Sequence, residues 1–161
     1  MAWFRRPKVI ARRSDGRFDV ALPAEVRRTV ASLLEQLMQI VDEHPDDPTL
    51  RRLQPPAYLD DPDADAAYRL LAGEELRASR RATVDRVLET LERDVVTEDE
   101  LWAWMQALNA VRLVAGTRLD VDEGDAGPSQ RSPASPEEES LWAVYDLTTA
   151  LQYEVVLALG G

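Results

Sequence analysis

The stretch from Thr97 to Leu119, TEDELWAWMQALNAVRLVAGTRL, has almost no side that water would tolerate. Thr97 followed by Glu100 has the spacing of a capping box, so a helix is predicted to start there. Gly116 is predicted to end it, because glycine takes the left-handed conformation past a last turn without strain. At about 100° per residue, Leu101, Trp104, Met105, Leu108, Val111 and Ala115 share one broad face. The opposite face is Ala103, Ala107, Ala110 and Val114. A helix apolar on all sides belongs inside a protein, so the rest of the chain is expected to pack around this one. Arg112 interrupts the apolar face, with Asn109 nearby.

The other segments read as the wrapping. Val9, Ile10, Phe18, Val20 and Leu22 are β-formers on either side of Ser14-Asp15-Gly16, which predicts a β-hairpin over 3–22 with Gly16 at positive φ. Pro23 opens a helix over 24–43, with Val26, Val30, Leu33, Leu34, Leu37, Ile40 and Val41 at helical spacing, and the run from His44 to Pro48 stops it. Pro55 and Pro56 enforce extended backbone. Asp61 before Pro62 suits the start of a short helix over 62–72 that turns Tyr68 and Leu71 inward. Gly73 is expected to break or kink the chain before a helix over 74–94 with Leu76, Val84, Val87, Leu88 and Leu91 inside. Arg80 falls in line with that stripe. Residues 120–135 carry Gly, Ser, Pro and Asp without apolar period and read as a flexible acidic loop. Ser135 and Glu138 then cap a last helix over 136–159, burying Leu141, Val144, Leu147, Leu151, Val155 and Leu159, with Trp142, Tyr145 and Tyr153 widening its apolar surface. The chain thus reads as one mainly α domain of about five helices: hairpin 3–22, helical core 23–119, loop 120–135 and C-terminal helix 136–159.

With no cysteine and one histidine, His44, disulfides, thiolate catalysis and Cys- or His-rich metal sites are not expected. His44 reads as an exposed helix-end residue. No run of signal-peptide or membrane-span length occurs, so a cytoplasmic chain that neither spans nor anchors to a membrane is expected. Charge is uneven. Residues 1–28 hold eight Arg or Lys against three acids, in a chain whose net charge is −11. That acidity disfavours a nonspecific grip on nucleic acid. The basic hairpin, through Arg5, Arg6, Arg12 and Arg13, is a candidate contact for an acidic protein patch; its plainer reading is a charged sheet edge kept soluble.

No nucleophile–base pair, phosphate-cradling glycine loop or metal-ligand cluster stands out, so no catalytic, cofactor or metal residues are assigned. Asp60, Asp61, Asp63 and Asp65 crowd a helix start, where the dipole favours carboxylates, and lack a calcium-loop pattern. What remains is Arg80, Asn109, Arg112 and Arg118 with Asp60 and Asp61. A guanidinium on a buried face must find acceptors. One reading is a structural network, Arg112 bound to carboxylates or carbonyls of the Tyr58–Asp61 loop. The other is an anion pocket using planar guanidinium groups.

Three stretches, RRLQPPAYLDD (51–61), LRASR (76–80) with its helix, and ALNAVRLVAGTRLDV (107–121), together resemble the actinobacterial AosR-like family. That family is long described as a domain of unknown function and is often encoded near the protease adaptor ClpS. The resemblance covers nearly the whole chain and implies a cytoplasmic, non-enzymatic regulator of transcription in oxidative stress. It would act through protein contacts with the transcription machinery, a sigma factor among the candidates. The redox sensing associated with the family needs a cysteine pair, which this sequence lacks. The alternatives are a small-anion-binding protein or enzyme with an arginine-lined pocket, or an accessory of the ClpS–protease system.

Overall fold

The computed structural model describes residues 8–53, 60–121 and 132–161. Strands β1 (Ile10–Arg12) and β2 (Phe18–Val20) form the hairpin, with Gly16 at φ 83° in its turn. Their register pairs Ile10 with Val20 and Arg12 with Phe18. Helices follow at α1 (Ala24–Glu43), α2 (Pro62–Thr90), α3 (Glu98–Arg118) and α4 (Pro136–Gly160), with a 3-10 turn at Pro48–Leu50. The architecture is mainly α, as the periodicity predicts.

A short strand, β3 (Val95–Val96), joins the sheet in the order β1-β2-β3, and Phe18 pairs with Val96. Two valines before a helix cap carry no strand signal of their own. The β2 partner decides it, because Phe18, Val20 and Val96 all turn into the core.

Helix α3 lies where its sequence demands. Leu101, Trp104, Leu108, Val111 and Ala115 are buried on one side, and Ala103, Ala107, Ala110 and Val114 on the other. Thr97 Oγ1 accepts from the Glu100 N–H, and the Glu100 carboxylate accepts from the Thr97 N–H, completing the capping box. The Trp104 indole donates to Thr90 Oγ1 at 2.7 Å, so the one polar atom of that large side chain is satisfied inside the core.

Four expectations need correction. Gly116 does not end α3; it is buried within the helix. The end is a Schellman arrangement one turn later: Asp120 takes φ 55°, its N–H bonds to Thr117 O, and the Val121 N–H bonds to Gly116 O. Aspartate visits the left-handed region more readily than most residues, which is enough here. Gly116 is instead a point of close approach, since a Cβ there would lie 3.3 Å from Tyr145 Cε2 and 3.5 Å from an Arg52 nitrogen.

Gly73 does not break the chain either. α2 runs unbroken through it, so where about five helices were expected, four are found among the described residues. One interior glycine costs a helix about 1 kcal/mol, which a long flanking ladder of hydrogen bonds absorbs. Tyr68 and Leu71, expected inside, are exposed, as is Leu76; only Val84, Val87 and Leu91 further on are buried. On α4 the buried residues are Thr148, Leu151, Val155 and Ala158, while Leu141, Val144, Leu147 and Leu159 are only partly covered. The predicted N-cap of α2 holds: the Asp61 side chain accepts from the Ala64 N–H. The Pro55–Pro56 segment, Tyr58 and residues 122–131 of the acidic loop lie outside the described residues.

Candidate functional site

The arginines expected to share one pocket take separate partners. Arg112, half-buried on α3, turns to α4: its Nε donates to Thr149 Oγ1 at 2.9 Å and an Nη to the Tyr145 hydroxyl at 2.8 Å. Its guanidinium carbon also lies 4.7 Å from the Tyr145 ring centre. The acceptors are therefore neutral oxygens of α4, not carboxylates of the Tyr58–Asp61 loop. The loop offers carboxylates and carbonyls, but the oxygens that reach Arg112 come from α4, the helix that packs most extensively on α3. Asn109 sits on the same seam, with Gln152 donating to its carbonyl at 3.4 Å.

Arg80 reaches the Leu53 carbonyl at 3.5 Å, and burial lowers its guanidinium below the ordinary value. Arg118 is exposed. Its charge acts on Asp47, whose carboxyl is held below the usual range first by hydrogen bonds from Thr49, with Arg118 adding to them. Asp60 is exposed, and Asp61 serves as the α2 cap. Arg80, Arg112 and Arg118 thus do not converge on Asp60 or Asp61. Among the described residues no group of three or more His, Cys, Asp or Glu gathers as metal ligands would. Nor is any described helix long and apolar enough to cross a membrane.

The hairpin is less free than its charge suggests. Arg12 donates to the Leu159 carbonyl at 3.1 Å and lies over the Phe18 ring. Arg13 pairs with Asp15 and Asp19. Asp15, accepting from the Arg17 side chain and backbone, is held at about 2. Arg5 and Arg6 fall outside the described residues. Against β1 lies α4, and between them opens a cleft of about 400 Å³ lined by Lys8, Arg12, Arg13, Glu154, Leu157 and Ala158. Beside this cleft Tyr153, Val156 and Leu157 are all more than half exposed, on one face of a helix whose other side is core.

One residue was missed. Arg27 donates to the carbonyls of Leu22, Val20, Leu91 and Arg93 and to the Asp94 carboxylate, tying α1 to the sheet and to the end of α2. In the sequence it reads only as one charge of the basic N-terminal stretch. The signal was its phase: Arg27 falls in the stripe of Val30, Leu34, Leu37 and Val41, as Arg112 does in its own helix.

These features describe a helical protein with an exposed apolar ridge beside a charged sheet edge and no assembled catalytic constellation among the described residues. Comparison with known proteins names the family. A match to the family described as "Domain of unknown function (DUF2017)" covers residues 3–159, and the chain belongs to it. Its relatives include the oxidative stress regulator AosR of Mycobacterium tuberculosis (strain ATCC 25618 / H37Rv) and that of Mycobacterium bovis. Each is 34% identical over 148 residues, covering 80% of this chain and 66% of the relative. A Mycobacterium leprae relative is 35% identical over 134 residues, covering 73% of this chain and 60% of its own. The chain thus spans slightly less than two thirds of the length of the relatives it matches. No solved structure matches it.

Proposed function

We propose that this chain is a non-enzymatic, cytoplasmic regulator of transcription in oxidative stress, acting through protein contacts with the transcription machinery. The relatives' names support a regulator. The observation that carries the contact mechanism is the ridge of Tyr153, Val156 and Leu157 beside the cleft at Lys8, Arg12 and Arg13. Large apolar side chains held in water next to cations suit a partner that offers an apolar anchor with an acidic rim.

The test is capture of purified RNA polymerase holoenzyme and of free sigma factors on the immobilised chain. Retention of one of them is expected, at least tenfold weaker for Leu157→Asp with unchanged thermal unfolding. If neither polymerase nor any sigma factor is retained, the reading fails. Because the chain has no cysteine, retention should be equal under a thiol reductant and under a disulfide-forming oxidant.

A further inference from the structure

In a chain without cysteine, the sulfur that peroxide can oxidise is the thioether of methionine, which takes up one oxygen to become a polar sulfoxide. The sequence holds three methionines. Met1 lies outside the described residues, and Met38 is buried on α1 at 4% exposure, closed to a dissolved oxidant. Met105 is different. It stands on the α3 stripe between Leu101 and Leu108, both buried, yet is itself only partly covered.

What meets its sulfur is polar. Gln152 Nε2, from α4, donates to Met105 Sδ at 3.6 Å and to Asn109 Oδ1 at 3.4 Å. A thioether is a weak acceptor, so the amide is held loosely. A sulfoxide oxygen accepts strongly. Placed on Met105, it competes with Asn109 for the Gln152 amide and draws the side chain away from Leu101 and Leu108 toward water. Gln152 lies immediately before Tyr153 and one turn before Val156, both exposed on the α4 ridge. A change at Met105 therefore reaches the proposed contact surface through a single side chain.

We propose that Met105 is an oxidation site for hydrogen peroxide, and that its sulfoxide loosens the α3–α4 seam beneath the ridge and releases the bound partner. The sulfur lone pair attacks one peroxide oxygen, and the S–O bond forms as the O–O bond breaks. The departing hydroxide takes the proton from the transferred oxygen and leaves as water. The sulfur loses two electrons and the peroxide gains them. Loosening of the seam stands by itself; release of a partner rests on the contact mechanism proposed for α4.

The test treats the full chain and its Met105→Leu variant with hydrogen peroxide and locates the added oxygen by peptide mass spectrometry. Met105 is expected to oxidise at least tenfold faster than Met38 in the folded protein, and at a similar rate in urea. The melting temperature of the unsubstituted chain should fall by about 3 °C or more. That of Met105→Leu should not move, and a methionine sulfoxide reductase should restore the loss. A disulfide-forming oxidant should change neither chain. Equal rates at Met105 and Met38 in the folded protein, or equal melting shifts in the two chains, overturn the oxidation site. Capture of RNA polymerase holoenzyme or of a sigma factor then reads the release. Peroxide should weaken capture at least threefold for the unsubstituted chain and leave Met105→Leu unchanged. Equal retention before and after peroxide rejects release alone. No retention even before peroxide rejects the contact mechanism and release with it, while the oxidation site is still judged by mass and melting.

Discussion

Helix α3 and the first half of α2 carry comparable amounts of leucine and alanine, yet one is the centre of the protein and the other stands in water. In α3, Leu101 and Leu108 are buried, packed by α2 and α4. In α2, Leu70 and Leu71 have no comparable cover, while Val84 and Val87, further along the same helix, are fully buried. Apolar period therefore reports which way a helix face points, but not whether a neighbour arrives to meet it. α3 has apolar residues on every side, so any arrangement of neighbours buries it. The first half of α2 has a narrower stripe, and its fate depends on how far the other helices extend.

Stability measurements should separate the two regions. Leu108→Ala should cost about 2–5 kcal/mol, the usual loss on emptying a buried leucine site. Leu71→Ala should lie within about 0.5 kcal/mol of the parent in dilute solution, as surface substitutions do. Denaturant titration of both variants checks this, and equal losses would erase the distinction.

Arg112 sharpens the comparison at the rim of α3. Its acceptors are the neutral oxygens of Thr149 and Tyr145, so Arg112→Met should cost about 1–2 kcal/mol. A stranded buried carboxylate would cost about 3–5 kcal/mol. Asp60→Asn and Asp61→Asn should not rescue it. Rescue by either would return the acceptor to the loop.

Gly73 tests the continuity of α2. A Cβ there meets nothing within 4 Å. Gly73→Ala should therefore stabilise by about 0.5–1 kcal/mol, from helix preference and reduced freedom of the unfolded chain. A loss read by thermal melting would mean that a kink is needed.

The smallest effect belongs to the hairpin turn. Asp15, held at about 2 by Arg17, is expected to titrate there by carboxyl NMR, against an ordinary value of 3.8. Its folded value is depressed, so its contribution to stability is present above the ordinary carboxylate range. It is lost as pH falls through about 2. Arg17→Ala should move the midpoint back towards 3.8. No movement would assign the shift to another group.

Much of this was legible in the residues. The cap at Thr97 and Glu100, the start of α2 at Asp61, the limits of α1 and the burial of α3 follow from local chemistry that no distant contact can easily override. The family could be read from its characteristic stretches. Other features needed the folded chain. Val95–Val96 becomes a strand because Phe18 arrives beside it. Gly116 stays helical, where a Cβ would press on Tyr145 at 3.3 Å, and the left-handed turn passes to Asp120. Arg27 and Arg112 could be recognised by phase as polar residues on apolar faces, yet distant acceptors complete their bonding: the end of α2 for Arg27 and α4 for Arg112. Local sequence determines where helices begin, which way their faces turn and that a buried cation must be bonded, because these depend on residues within a turn or two. Which oxygen meets that cation, and which leucine stays in water, is a property of three-dimensional neighbours, and only the tertiary structure decides it.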